Sequence, residues 1–133
     1  MSVSCVLLAD SHHGLADGIR SLLGTRFEAV VMVADEVSMV ESAARLRPTL
    51  AVVDLVLAAG NVAGLMDRLR QSCEDLKVIV LSVHDEPGVA ESVLESGADA
   101  FVVKNVLGTD LLPAVEAVLR GERFASNRIE THK

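Results

Sequence analysis

The chain is organised around the stretch Leu50-Ala51-Val52-Val53-Asp54. Four apolar residues, two of them β-branched, run straight into one carboxylate. A segment that is apolar at every position reads as a strand covered on both faces, the usual state inside a parallel sheet. Pro48, two residues upstream, stops the preceding helix. In open parallel sheets, ligands and chemistry gather beyond the carboxyl ends of the strands, and Asp54 stands at such an end. A carboxylate there can equally serve only to cap the following turn, so the rest of the chain must decide.

Residues 4–9 (S-C-V-L-L-A) form another apolar run of strand length and also close on a carboxylate, Asp10. Residues 27–33 are β-rich. Residues 77–82 stay apolar until they close on Ser82, and residues 100–103 end on Lys104. Helical patterns lie between. Leu15, Ile19, Leu22 and Leu23 precede a stop at Gly24. Val37, Val40 and Ala44 mark a second helix, with Asp35 as cap and Pro48 as terminator. Asn61 caps a third that carries Val62, Leu65 and Leu69. Asp85 caps a fourth, opened by Pro87, with Val89, Val93 and Leu94 inward and Gly97 at its end. The fifth carries Leu111, Val115, Val118 and Leu119 and stops at Gly121. Proline can replace only an N–H without an intrahelical acceptor, so Pro113 favours a cap at Asp110 over Thr109.

Five strands alternating with five helices predict parallel βαβ units with right-handed crossovers, a three-layer α/β sandwich. No connection is long enough for a second domain. Residues 1–121 read as one domain, and residues 122–133, polar and mixed, as a tail or the start of a linker.

Composition narrows the function. Half of the 133 residues are apolar, which excludes disorder and predicts a substantial core. A net charge of -7 argues against nucleic-acid binding through this domain, and three Phe with no Trp or Tyr leave few stacking platforms. No apolar run approaches ~18 residues, and the N-terminus lacks a signal-peptide pattern, so a soluble, cytoplasmic protein without membrane contact is expected. Cys5 and Cys73 lie in apolar or helical settings that suit reduced thiols.

The strand ends carry the chemistry. In a parallel sheet Asp10, Asp54, Ser82 and Lys104 all fall on one edge. The two carboxylates can hold Mg²⁺, which takes one or two carboxylates plus phosphate oxygens. The hydroxyl and the ammonium can contact phosphoryl oxygens. A carboxylate can also act as a nucleophile and form an acyl phosphate. Each residue alone has a plainer role as a cap, turn residue or surface charge; four of them on four strand ends is the specific signal.

The motifs V-L-L-A-D-S-H at 6–12, V-V-D-L at 52–55, V-I-V-L-S-V-H at 78–84 and G-A-D-A-F-V-V-K at 97–104 resemble a response regulator receiver domain, of the type found in LuxR/NarL-like helix-turn-helix regulators. The similarity runs from about residue 4 to residue 121. It implies a flavodoxin-like, doubly wound five-stranded sheet in the order 2-1-3-4-5. It also implies Asp54 as phosphoacceptor, Asp10 in the Mg²⁺-binding acidic pocket, Ser82 as switch hydroxyl, Phe101 as switch aromatic and Lys104 as the lysine that contacts phosphate. A sensor histidine kinase or small phosphodonor would supply the phosphoryl group, with no enzyme activity beyond the domain's own phosphorylation. DNA would be met only through a separate output domain.

Three positions depart from the family pattern. Ser11 replaces the second of two adjacent acids and gives a weak or absent metal contact, lowering attraction for Mg²⁺. Ala58 replaces a proline in the loop after Asp54, where Gly64 also comes about two residues late. Asn105 follows Lys104 where many receivers have proline, which makes a cis peptide there unexpected. Ser11 also favours the alternative, an atypical pseudo-receiver serving as a phosphorylation-independent interaction or dimerisation module. A flavin-binding electron carrier of similar architecture is opposed by Asp10-Ser11-His12-His13, which is no phosphate loop, and by the scarcity of aromatics. His12, His13 and His84 lie near the site, and Glu91 and Glu95 read as a solvated face. Leu112 and Ala114 off the inward stripe of the fifth helix, with Ala16 and Gly18 on the first, predict a homodimer through helix five.

Overall fold

The computed structural model describes residues 4–10, 13–58 and 60–126. The apolar runs form β1 (Cys5–Ala9), β2 (Ala29–Val33), β3 (Leu50–Asp54), β4 (Lys77–Ser82) and β5 (Ala100–Val103). They pair in parallel in the order β2-β1-β3-β4-β5, and a two-residue strand, β6 (Phe124–Ala125), adds to β5. Side chains alternate across the sheet. Leu7, Ala51, Val53, Val78, Val80 and Phe101 face a core closed by α2 (Glu36–Leu46), α3 (Val62–Ser72) and α4 (Pro87–Glu95). Val6, Leu8, Val52, Ile79, Leu81 and Val102 face a second core under α1 (His13–Gly24) and α5 (Leu107–Leu119). Each fully buried Leu, Ile or Phe contributes about 1.5–3 kcal/mol relative to exposure.

Several local expectations hold. Asp35 caps α2, accepting from the Ser38 N–H at 2.8 Å. That bond holds the Asp35 carboxyl below the usual carboxylate range. Asn61 caps α3 through the Gly64 N–H. Gly97 and Gly121 follow α4 and α5 at positive φ, a conformation that favours glycine. Arg70 on α3 ties the base of the sheet together, donating to the Gly97 carbonyl at 2.6 Å and to Asp99 at 2.7 Å, while Asp99 accepts from the Val78 N–H.

Other expectations are corrected. The inward stripe of α2 is Met39 and Ala43, an i, i+4 pair, with Val40 half-buried; Val37 is 67% exposed and Ala44 is exposed. The long, flexible Met39 fills the space over β1 that the valine pattern assigned to a different face. The cap of α4 is Glu86, not Asp85, because Pro87 occupies the first helical position, and Glu86 makes no side-chain capping bond.

The largest corrections meet at one place. α5 begins at Leu107, so Pro113 lies inside the helix and Asp110 in its first turn. Asp110 is instead buried, and its Oδ2 accepts from the Ser126 hydroxyl at 2.7 Å. Ser126 also donates its N–H to the Phe101 carbonyl at 2.8 Å and accepts from the Val103 N–H at 3.1 Å. The stretch read as a tail therefore returns to the sheet through β6. An interior proline costs about 3 kcal/mol. Burial of Leu107, about 1.5–3 kcal/mol, and a charged hydrogen bond worth about 1.5–3 kcal/mol offset it. Ser126→Ala is accordingly expected to lower stability by about 1–3 kcal/mol, read as a lower urea midpoint at unchanged slope.

Candidate functional site

Four parallel strands end at the same edge of the sheet and set the site. Asp54 is the last residue of β3 and pairs with Leu81, so Ser82 on β4 stands one residue beyond it; Ser82 in turn pairs with Val103, the residue before Lys104. Asp10 follows directly on β1. The Lys104 ammonium lies between the carboxylates, 2.8 Å from Asp54 Oδ2 and 3.0 Å from Asp10 Oδ1. All three side chains are nearly excluded from solvent; that of Lys104 is 4% exposed. Asp54 Oδ1 accepts from the Val56 N–H at 3.1 Å, within the 3₁₀ turn Leu55–Ala58. Ser82 is buried, and its Oγ accepts from the His84 N–H at 2.9 Å. Phe101 is buried in the core on the α2–α3–α4 side.

This arrangement holds formal charges of two carboxylates and one ammonium in a space shielded from water, where each interaction is stronger than at the surface. The carboxylates already turn oxygens toward a single cation. Such a donor set suits a small divalent ion that uses one or two carboxylates and completes its shell with water and phosphate oxygens. Among the described residues no third His, Cys, Asp or Glu joins them.

The family model of the response regulator receiver domain matches residues 6–116. The chain belongs to this family. The oxygen regulatory protein NreC of Staphylococcus epidermidis is 28% identical over 95% of the chain, and the methanol utilization control regulatory protein MoxX of Paracoccus denitrificans is 30% identical over 93%. The chain spans 59% and 57% of those proteins, so a little over half of each. Among solved structures, a LuxR-family two-component response regulator from Aurantimonas sp. SI85-9A1 superposes with a TM-score of 0.79 at 26% identity, covering 92% of this chain and 89% of that one. The non-phosphorylated receiver domain of RcsB from Escherichia coli gives 0.77 at 25%, covering 95% and 100%. Receiver domains generally bind Mg²⁺ in their acidic pocket and receive signals from sensor kinases.

Of the positions singled out by the sequence, Asp10, Asp54 and Lys104 meet in direct contact, with Ser82 on the adjoining strand end. Ser11 and His12 lie outside the described residues. The His84 ring is exposed and faces Glu86 at 3.8 Å; it is the backbone N–H of His84 that reaches into the site. Glu91 and Glu95 are exposed, as expected of a solvated face. Asn105 is exposed, and all peptide bonds of the described residues are trans. Burial raises the pKa of the Cys5 thiol, and Cys73 is buried, in keeping with unreactive cysteines. The backbone donors at Val56 and His84 went unseen in the sequence. Their only trace is turn position: each lies two residues beyond a strand-ending side chain that can accept.

The surface expected to form a dimer is altered. Ala16 and Ala114 are buried within the monomer, and Leu112 is half-buried on α5. Gly18 is exposed, so Gly18 and Leu112 are the members of that set still reachable at the surface.

Proposed function

We propose that this chain is the phosphoryl-accepting switch of a two-component response regulator, with Asp54 as acceptor. The supporting observation is the Lys104 ammonium held between two buried carboxylates at the carboxyl edge of a parallel sheet. An Asp54 carboxylate oxygen attacks the phosphorus of a phosphohistidine or a small acyl phosphate. A P–O bond forms to Asp54, and the bond to the donor's nitrogen or oxygen breaks with its electron pair leaving on the donor. Asp10 and Asp54 are the residues that would hold Mg²⁺, which neutralises charge on the transferred group when bound; Ser11 adds at most a weak neutral contact. Catalysis is then mainly positioning and electrostatics.

Lys104 follows the negative charge from the carboxylate to a phosphoryl oxygen. Ser82 turns its hydroxyl to donate to another, giving up the His84 N–H, and this frees the exposed loop at residues 83–86 from its anchor. Phe101 is the aromatic whose packing follows that loop. A switch from 1:99 to 99:1 requires about 5.5 kcal/mol of differential stabilisation by the phosphoryl group. The relatives extend well beyond the part this chain matches, 59% and 57% of their lengths, and include regulatory proteins. The reading therefore extends to a cytoplasmic regulator of transcription, driven by a sensor histidine kinase and meeting DNA through an output domain other than this one. Among the described residues no helix is long and apolar enough to cross a membrane.

Incubation with acetyl phosphate is expected to give one Mg²⁺-dependent acyl phosphate per chain, removed by hydroxylamine and absent in EDTA. Wild type that stays unmodified at saturating donor and Mg²⁺ contradicts the proposal.

A further inference from the structure

One edge of the sheet is open among the described residues. β2 pairs with β1 alone, whereas β6 covers part of the opposite edge. The Ala29 N–H donates to the Ser4 carbonyl at 3.1 Å, so the backbone groups of Ala29 turn toward β1. By strand alternation those of Val31 and Val33 do the same, and the N–H and C=O of Val30 and Met32 point outward. Val30 packs on the α1–α5 core, Val31 and Val33 on the other core, and Met32, on the same face as Val30, is 45% exposed. The strand Ala-Val-Val-Met-Val carries neither charge nor proline, the devices that usually keep an open edge from pairing.

We propose that β2 pairs with the β2 of a second copy, antiparallel about a two-fold axis through Val31. In this register Val30 exchanges both of its backbone hydrogen bonds with the second copy's Met32, and Met32 does so with the second copy's Val30. Every outward backbone group of the edge is then satisfied. Registers centred on Val30 or on Met32 pair only that residue with itself inside the strand, and intermediate ones set outward groups against inward ones. Each Met32 side chain lands beside a half-buried Val30, a favourable cross-strand contact. The interface is isologous, as a closed dimer requires. It lies on the sheet edge away from β5 and α5, and it does not depend on phosphorylation.

Sedimentation over a wide concentration range is expected to show a reversible dimer of wild type, unaffected by Leu112→Glu and weakened at least about tenfold by Met32→Lys, a charge set on the open edge. Register is read independently by cross-linking in a Cys5→Ser background. Cα atoms directly across the axis would lie about 4.5 Å apart, within the range a disulfide spans. Val31→Cys is therefore expected to form a covalent dimer on oxidation far faster than Met32→Cys, whose thiol faces a valine. A monomer at every concentration, a dimer lost in Leu112→Glu but kept in Met32→Lys, or equal cross-linking of the two cysteine variants overturns the proposal.

Discussion

Lys104→Met is expected to destabilise the protein by about 3–5 kcal/mol, because removing one partner of a buried ionic cluster strands the charge that remains. Lys104 faces Asp10 at 3.0 Å and Asp54 at 2.8 Å, and none of the three side chains is more than slightly exposed. Methionine keeps most of the apolar stem and removes the ammonium, leaving two carboxylates facing each other without their shared cation. Mutual repulsion in a poorly solvated space then acts against folding. Mg²⁺ bound by the same two carboxylates should restore part of the loss, since a ligand of the native state stabilises it by mass action. Urea denaturation with and without Mg²⁺ reads both effects. A loss below about 1 kcal/mol, the usual size for an exposed pair, would mean that the cluster is hydrated and its charges nearly independent.

Phe101→Ala is expected to cost about 3–5 kcal/mol, the range for truncating a buried aromatic ring. Phe101 is among the largest fully buried side chains, and its backbone carbonyl also accepts the Ser126 N–H. Phe101→Leu refills most of the volume and should lose well under half as much. The pair of variants also bears on the switch. If the ring's packing follows the Ser82 loop, Phe101→Leu should leave acetyl phosphate labelling intact while changing the structural response to it. That response can be followed by amide exchange in residues 83–86, and an unchanged exchange response would detach Phe101 from the switch.

The sheet and the site were legible for one reason. Strands buried on both faces write themselves as continuous apolar runs, and their ends stand out because Asp10, Asp54, Ser82 and Lys104 interrupt those runs abruptly. Whatever depends on distant partners was hidden. Pro113 placed the start of α5 too late because local proline rules cannot register that Asp110 is held by Ser126, sixteen residues on. β6 is two residues long and set in a polar stretch, so its pairing with β5 leaves no periodicity to read. The face of α2 was misassigned because valines at i and i+3 outweighed Met39 and Ala43, which the tertiary packing selects. The donors at Val56 and His84 are backbone groups, whose direction is set by turn geometry and not by residue type.

Peptide mapping after labelling locates the residue that takes the phosphoryl group, proposed to be Asp54. Wild type is treated with acetyl phosphate and Mg²⁺, the acyl phosphate is reduced with borohydride, and the modified residue is identified by mass spectrometry beside Asp54→Asn treated in the same way. Modification confined to Asp54 in wild type, and absent from Asp54→Asn, is the predicted result. Modification at Asp10 or elsewhere, or labelling of Asp54→Asn equal to that of wild type, would contradict it.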